Sequence, residues 1–253
     1  MTELRIEDLV VRRGSADRVR GVSLSVRSGE LVVLLGPNGA GKTLTLQAGL
    51  GIEMPNSGRV WLDTENVLRL SARRRARSIA YLPQSRPLAW PSRVEDLVAL
   101  GRFAYGAAPG RLSEVDAEAV EGALIACQIE TLRRRRADTL SGGELARVHC
   151  ARAFAAGAPL MVADEPVAAL DPRQQFRVMD LFRTFVSEGG GALVVLHDIA
   201  LAARYADRLI WMQAGQILAD GTPEETLTDS RLAEIYGVRA RIDGRSVELL
   251  GFA

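Results

Sequence analysis

Apolar and polar residues change their spacing several times along this chain. Over 4–11 and 19–26 they alternate. In the second stretch Val22, Leu24 and Val26 stand between Ser23 and Ser25, the period of a strand with one face buried. The two stretches predict an antiparallel opening. Leu31–Leu35 is apolar without a break and ends in Gly36-Pro37, which predicts a strand buried on both faces. A glycine-rich turn, a helical stretch over 42–50 and short strands at 59–63 and 79–82 follow. From about 86 to 156 the spacing is helical, with helices at 95–100, 115–127 and 144–156 and no strand between them. After Pro159 alternation returns: strand 160–163, helix 172–187, strand 192–196 and helix 199–205. Residues 208–212 and 216–219 then read as a hairpin around Ala214-Gly215. Thr222-Pro223-Glu224-Glu225 is a helix start, with Thr222 as cap, Pro223 in the first turn and Glu225 reaching back. Strands alternating with helices predict an α/β fold on a largely parallel sheet. The all-helical block reads as an insert, so 1–85 and 157–253 are expected to form a core with an antiparallel β subdomain, and 86–156 a helical subdomain.

Composition narrows the class. A chain of 253 residues suits one large domain or two small ones with a substantial core. Its 32 basic and 31 acidic residues leave a net charge of +1, which argues against a dedicated nucleic-acid binder. Cys127 and Cys150 sit in apolar, Ala-rich surroundings and read as small buried hydrophobes, not as a disulfide framework or metal ligands. The start lacks a basic stretch followed by an apolar one, so no secretory signal is expected. No apolar run approaches the ~18–20 residues that cross a bilayer. The protein is therefore expected to be cytoplasmic unless something else holds it at a membrane. The basic residues are 31 arginines and one lysine, Lys42, which confines any lysine chemistry to a single position.

Gly36-Pro37-Asn38-Gly39-Ala40-Gly41-Lys42-Thr43 fits G-x-x-x-x-G-K-[ST], after a buried strand and at the start of a helix. The glycines let successive backbone N–H groups wrap a phosphate, and the helix N-terminus adds its positive end. Lys42 would reach the terminal phosphates and Thr43 would hold Mg²⁺. Downstream, an apolar strand delivers Asp164 and Glu165. Asp164 can hold the Mg²⁺ and Glu165 can polarise an attacking water; the bland reading of two such acids is a solvated turn. Leu140-Ser141-Gly142-Gly143-Glu144 precedes a helix of Ala, Arg and apolar residues. It is either a capping box with a glycine turn or a second anion site at a helix N-terminus.

With these motifs in this order, the chain resembles the nucleotide-binding ATPase subunit of ATP-binding-cassette (ABC) transporters over essentially its whole length. Residues 36–43 match the Walker A loop, Gln84 the Q-loop and 140–144 the signature motif. Residues 160–165 match the Walker B strand, Ala169-Leu170-Asp171 the D-loop and His197 the switch histidine. The resemblance implies a P-loop NTPase (RecA-like) core with ATP and Mg²⁺ as cofactors. It also implies a head-to-tail homodimer, each ATP lying between 36–43 of one copy and Ser141, Gly142 and Gly143 of the other, with Asp171 among the nucleotide-binding residues. Glu165 would be the general base, worth ~10²–10⁴-fold in rate. His197 would contact the γ-phosphate, and Gln84 would reach Mg²⁺ and the water while linking to the helical subdomain. His149 reads as structural.

Two positions depart from the family pattern. Where the family usually stacks an aromatic on adenine, this chain has Arg13 beside Arg12, and no Phe, Trp or Tyr precedes Trp61. A guanidinium plane can stack on a ring, so Arg13 is the candidate; the competing reading leaves Arg13 in solvent and the base loosely held. After Thr43, where a hydroxyl commonly meets the α-phosphate, stands Leu44. That contact then rests on backbone N–H groups or on Thr45.

The stretch from Tyr81 to Gln84, the stretch from Val94 to Arg102 and the tail from Gly221 resemble the subgroup serving iron–siderophore, haem and cobalamin uptake. The implied partners are two separate transmembrane permease subunits and, indirectly, a solute-binding protein. The implied location is peripheral, on the cytoplasmic face of the inner membrane. Residues 85–103, with Trp90 and Phe103, are either the face that docks a membrane subunit or subdomain core. The runs Arg133–Arg136 and Arg73–Arg75 with Arg77 are either solvated loops or contacts with the membrane or a partner. The competing functions are a soluble ABC scaffold in iron–sulfur assembly and an importer of another cargo such as molybdate.

Overall fold

The computed structural model describes residues 1–84, 91–108 and 110–253. Strands β1 (Glu3–Arg13) and β2 (Ala16–Arg27) form the antiparallel opening, and β3 (Leu31–Leu35) runs through a loop into α1 (Lys42–Gly49). Next come β4 (Ser57–Leu62), the two-residue β5 (Glu65–Asn66), α2 (Ala72–Ser78) and β6 (Ile79–Leu82). The described residues then turn helical, with α3 (Val94–Ala99), α4 (Glu114–Ala126) and α5 (Gly142–Ala155) joined by 3-10 turns. Beyond them lie β7 (Leu160–Asp164), α6 (Pro172–Ser187), β8 (Gly191–Val195), α7 (Ile199–Tyr205), β9 (Arg208–Gln213) and β10 (Gln216–Gly221). The chain closes with α8 (Pro223–Thr226), α9 (Asp229–Tyr236) and a hairpin of β11 (Val238–Asp243) and β12 (Ser246–Phe252).

The central sheet has the order β10-β9-β3-β8-β7-β6; its neighbours from β9 to β6 are parallel, and β10 is an antiparallel edge. Every residue of β3, β7 and β8 is buried, as their unbroken apolar runs require. Side chains of β3 divide between two cores. Leu31, Val33 and Leu35 pack with the helical block and α6, whereas Val32 and Leu34 pack with α1 and the four-stranded sheet β2-β1-β4-β5. Because β3, β7 and β8 are parallel and in register, their C-terminal ends open at one edge, the usual place for a ligand in such sheets.

The first arginine run is helical, and the second is a largely exposed turn tied down by ion pairs. Arg73–Arg75 and Arg77 lie in α2, whose N-cap Ser71 accepts the Arg74 N–H. Arg74 pairs with Glu65 at 3.1 Å, Arg75 donates to the Leu70 carbonyl, and Arg77 lies over the Tyr105 ring while donating to the Ala104 carbonyl. Among Arg133–Arg136, Arg133 pairs with Glu121 at 2.6 Å and Arg136 with Asp138 at 2.7 Å. The carbonyls of Arg133 and Arg135 accept from Glu95 and Val94. Local charge density disguised a helix in one case and a tie between helices in the other. The pattern also failed to reveal α9 and the β11–β12 hairpin, which are short and rich in charge.

Cys127 and Cys150 are buried, and His149 is buried within α5. Trp90 lies outside the described residues. Phe103 is 73% exposed, so it is surface rather than core of the helical block. Among the described residues no helix is long and apolar enough to cross a membrane.

Candidate functional site

The loop from β3 to α1 closes over its own lysine. Lys42 is only 6% exposed, and its Nζ donates to the Gly36 carbonyl at 2.6 Å and the Pro37 carbonyl at 3.0 Å. Burial lowers the pKa of this ammonium, while the charges of Glu165 and Asp164 oppose the shift. Gly41 precedes the helix at φ +100°, a conformation open to glycine, and a Cβ there would stand 2.7 Å from the Arg18 carbonyl oxygen on β2. Thr45 is fully buried; its hydroxyl donates to the Gly41 carbonyl at 3.0 Å and lies 3.8 Å from the Met212 sulfur. That hydroxyl is buried and spent on a backbone carbonyl, which removes Thr45 from the candidates for a phosphate contact.

A cavity of about 450 Å³ lies over the loop, lined by Arg18, the residues from Asn38 to Leu44, Gln84 and Glu165. A larger groove of about 700 Å³ lies elsewhere, between α2 and α5 with Phe103 on its wall, and none of these groups lines it.

Asp164 and Glu165 are adjacent but live in different surroundings. Asp164 ends β7 fully buried, and neither carboxylate oxygen has a hydrogen-bond partner among the described residues. Burial raises its pKa; the nearby Thr43 hydroxyl pulls the other way, and Glu165 adds to the rise. Two orphaned oxygens beside a threonine hydroxyl are hard ligands of the kind Mg²⁺ takes, and that ion usually needs only one or two protein oxygens beside substrate phosphates and water. No cluster of three or more acidic, His or Cys side chains competes for a metal among the described residues.

Glu165 turns away at φ +50°, a left-handed conformation that costs a non-glycine residue about 1–3 kcal/mol. The turn carries its carboxylate to Gln84, whose Nε2 donates to Oε2 at 2.6 Å, and to His197, whose Nε2 lies 2.5 Å from Oε1. Three distant segments thus meet at one carboxylate: the second residue after β6, the bend after β7 and the second residue after β8.

A second cluster forms away from the cavity. Ser141 caps α5 in a full capping box: its hydroxyl accepts the Glu144 N–H, and the Glu144 carboxylate accepts the Ser141 N–H at 2.9 Å. Those bonds hold the Glu144 carboxyl below the usual range. Gly143 packs so closely on Gln174 that a Cβ would stand 2.7 Å from its Cγ, and Asp171, N-cap of α6, accepts the Gln174 N–H at 3.0 Å. Ser141, Gly142, Gly143 and Asp171 therefore form one surface, joined by Gln174. Sequence reasoning missed Gln174; its place three residues after the cap Asp171 was the only local signal. Arg13 ends β1 with its Nη2 bound to Glu53 at 2.7 Å, an edge-on bond that leaves the guanidinium face open.

The fold and the first cluster define a P-loop ATPase. The family model for ABC transporters matches residues 19–168. A hemin import ATP-binding protein, HmuV, of Pseudomonas fluorescens is 40% identical over 245 residues, covering 94% of each chain. Its counterpart in Pseudomonas aeruginosa is 40% identical over 244 residues, with the same coverage. Among solved structures, the ADP conformation of an ATP-binding cassette of an ABC transporter superposes with a TM-score of 0.84 at 26% identity, covering 93% of this chain and 98% of that one. The chain belongs to the ABC transporter family, as an ATP-binding subunit that hydrolyses ATP.

Proposed function

We propose that this chain drives uptake of a metal chelate, a haem-type iron compound first among the candidates, through two separate permease subunits, from the cytoplasmic face of the inner membrane. The observation that carries the reading is the convergence of Gln84, Glu165 and His197 beside the loop that buries Lys42. The hemin-import relatives, which match nearly end to end, support the cargo class.

In this reading residues 1–85 and 157–253 form the catalytic core and 86–156 the signature subdomain. Two copies pack head to tail. Gly36, Pro37, Asn38, Gly39, Ala40, Gly41, Lys42 and Thr43 wrap the triphosphate, and Ser141, Gly142, Gly143 and Asp171 of the partner subunit close over it. Glu165 accepts the proton of the attacking water, His197 contacts the γ-phosphate, and Gln84 orients the water. Mg²⁺, when bound, would be held by Thr43 and Asp164 with help from Gln84, and would neutralise charge on the outer phosphates. Phe103 and the groove beside it form the face that docks a permease subunit. The test is co-expression with candidate permease and solute-binding subunits. The chain should sediment with membranes, and its ATPase should rise with haem-loaded binding protein but not with molybdate. A chain that stays soluble and co-purifies with soluble iron–sulfur partners would overturn the transport reading.

Arg13 is proposed to stack on adenine through its open face. Arg13→Ala should weaken ATP binding by about tenfold, within the usual worth of one base-stacking side chain. Titration with a fluorescent nucleotide measures it; an unchanged affinity removes Arg13 from the site.

A further inference from the structure

We infer that Arg18 is a phosphate-binding residue of the nucleotide site, contacting the phosphate nearest the nucleoside. The inference rests on the assignment of residues 36–43 as the phosphate cradle and extends it to a residue from another subdomain.

The inner phosphate lacks a side-chain donor on the helix. Leu44 lines the cavity but carries no hydroxyl, and the Thr45 hydroxyl is buried and bound to the Gly41 carbonyl. Lys42 is the only cation of the cradle itself, and a lysine at this place serves the outer phosphates. Arg18 lines the same cavity and is exposed. Its backbone is fixed against the loop: the Arg18 carbonyl crowds Gly41, and the next residue, Val19, is fully buried.

The other arginines of β1 and β2 are all engaged. Arg5 pairs with Glu7, Arg12 with Asp17, Arg13 with Glu53 and Arg27 with Glu3, while Arg20 donates to the Asp17 carbonyl. Arg18 alone among them has no hydrogen bond or ion pair with a described residue. An exposed guanidinium with free donors, on a residue that lines a phosphate cavity, offers the planar fork that binds phosphate oxygens in pairs. It enters from the side of β1–β2 that also carries Arg13, whereas Gln84 and Glu165 mark the γ-phosphate end. Arg18 therefore serves the inner end of the chain of phosphates.

The test compares wild type, Arg18→Ala and Arg18→Lys for binding of ATP and of ATPαS, in which sulfur replaces an oxygen on the inner phosphate. Arg18→Ala should lose about tenfold in ATP affinity, the scale of one charged hydrogen-bonding contact, and Arg18→Lys should recover part of it. The sulfur penalty seen in wild type should vanish in Arg18→Ala. Unchanged ATP affinity in Arg18→Ala, or an equal sulfur penalty in both proteins, overturns the inference. Lys42→Ala serves as the reference: if it binds ATP as tightly as wild type, the cradle assignment itself fails, a result separate from the Arg18 outcome. Arg18 packs through its backbone, so both variants should keep the wild-type melting temperature.

Discussion

Lys42→Arg should fold and lose most of its ATPase activity, by about 10²–10³-fold, the cost of losing one preorganised donor at a reaction centre. The native ammonium is a compact charge on a flexible stem, nearly sealed from water and bonded to the Gly36 and Pro37 carbonyls. A guanidinium brings the same charge with a wider planar head and five donors. Two carbonyls cannot satisfy those donors, and the close packing of Gly36 on Met212 and of Gly41 on Arg18 restricts how the loop can rearrange around the fork. The chain uses arginine at 31 positions and lysine at this one, which fits a site where the smaller head is required. Phosphate release measures the loss, and thermal unfolding shows that the fold survives. Turnover near the wild-type rate would make the lone lysine an accident of composition.

Glu165→Gln should keep ATP binding and lose about 10²–10⁴-fold in turnover, the usual contribution of a positioned base. The substitution preserves size and one carbonyl oxygen, so Gln84 still has an acceptor, but the amide cannot take a proton from water. With hydrolysis blocked, ATP should accumulate at the interface and hold two copies together. Size-exclusion chromatography with and without ATP reads the dimer, and single-turnover phosphate release reads the chemistry. Hydrolysis at the wild-type rate would move the base elsewhere.

Much of this architecture was legible because it is written in contiguous residues. The unbroken run Leu31–Leu35 announced a strand buried on both faces, and the glycine loop after it carried its own signature. Asp164 and Glu165 were visible as acids at a strand end, but not their division: the left-handed bend at Glu165 separates them and brings one carboxylate to Gln84 and His197, residues far away in sequence. Arg18 was illegible for a different reason. It is one arginine among many on a half-exposed strand, and its place on the cavity wall arises only because β2 crosses Gly41. Thr45 was offered as a phosphate ligand by proximity in sequence, yet the helix turns its hydroxyl back onto the Gly41 carbonyl. The α2 arginines looked like a solvated run because charge hides amphipathicity; their acceptors are backbone carbonyls and a ring that no linear pattern displays.

Gln174 fastens the glycine turn at 141–143 to Asp171, and Asp171 lies on the short stretch of chain that leaves Glu165. In the proposed head-to-tail pair, each copy would touch its partner's nucleotide through the turn and would guide its own hydrolysis through Glu165. In that pair a single glutamine would join the reading of one site to the setting of the other. Occupancy of the two sites should be correlated rather than independent, so that the pair behaves as one two-stroke engine.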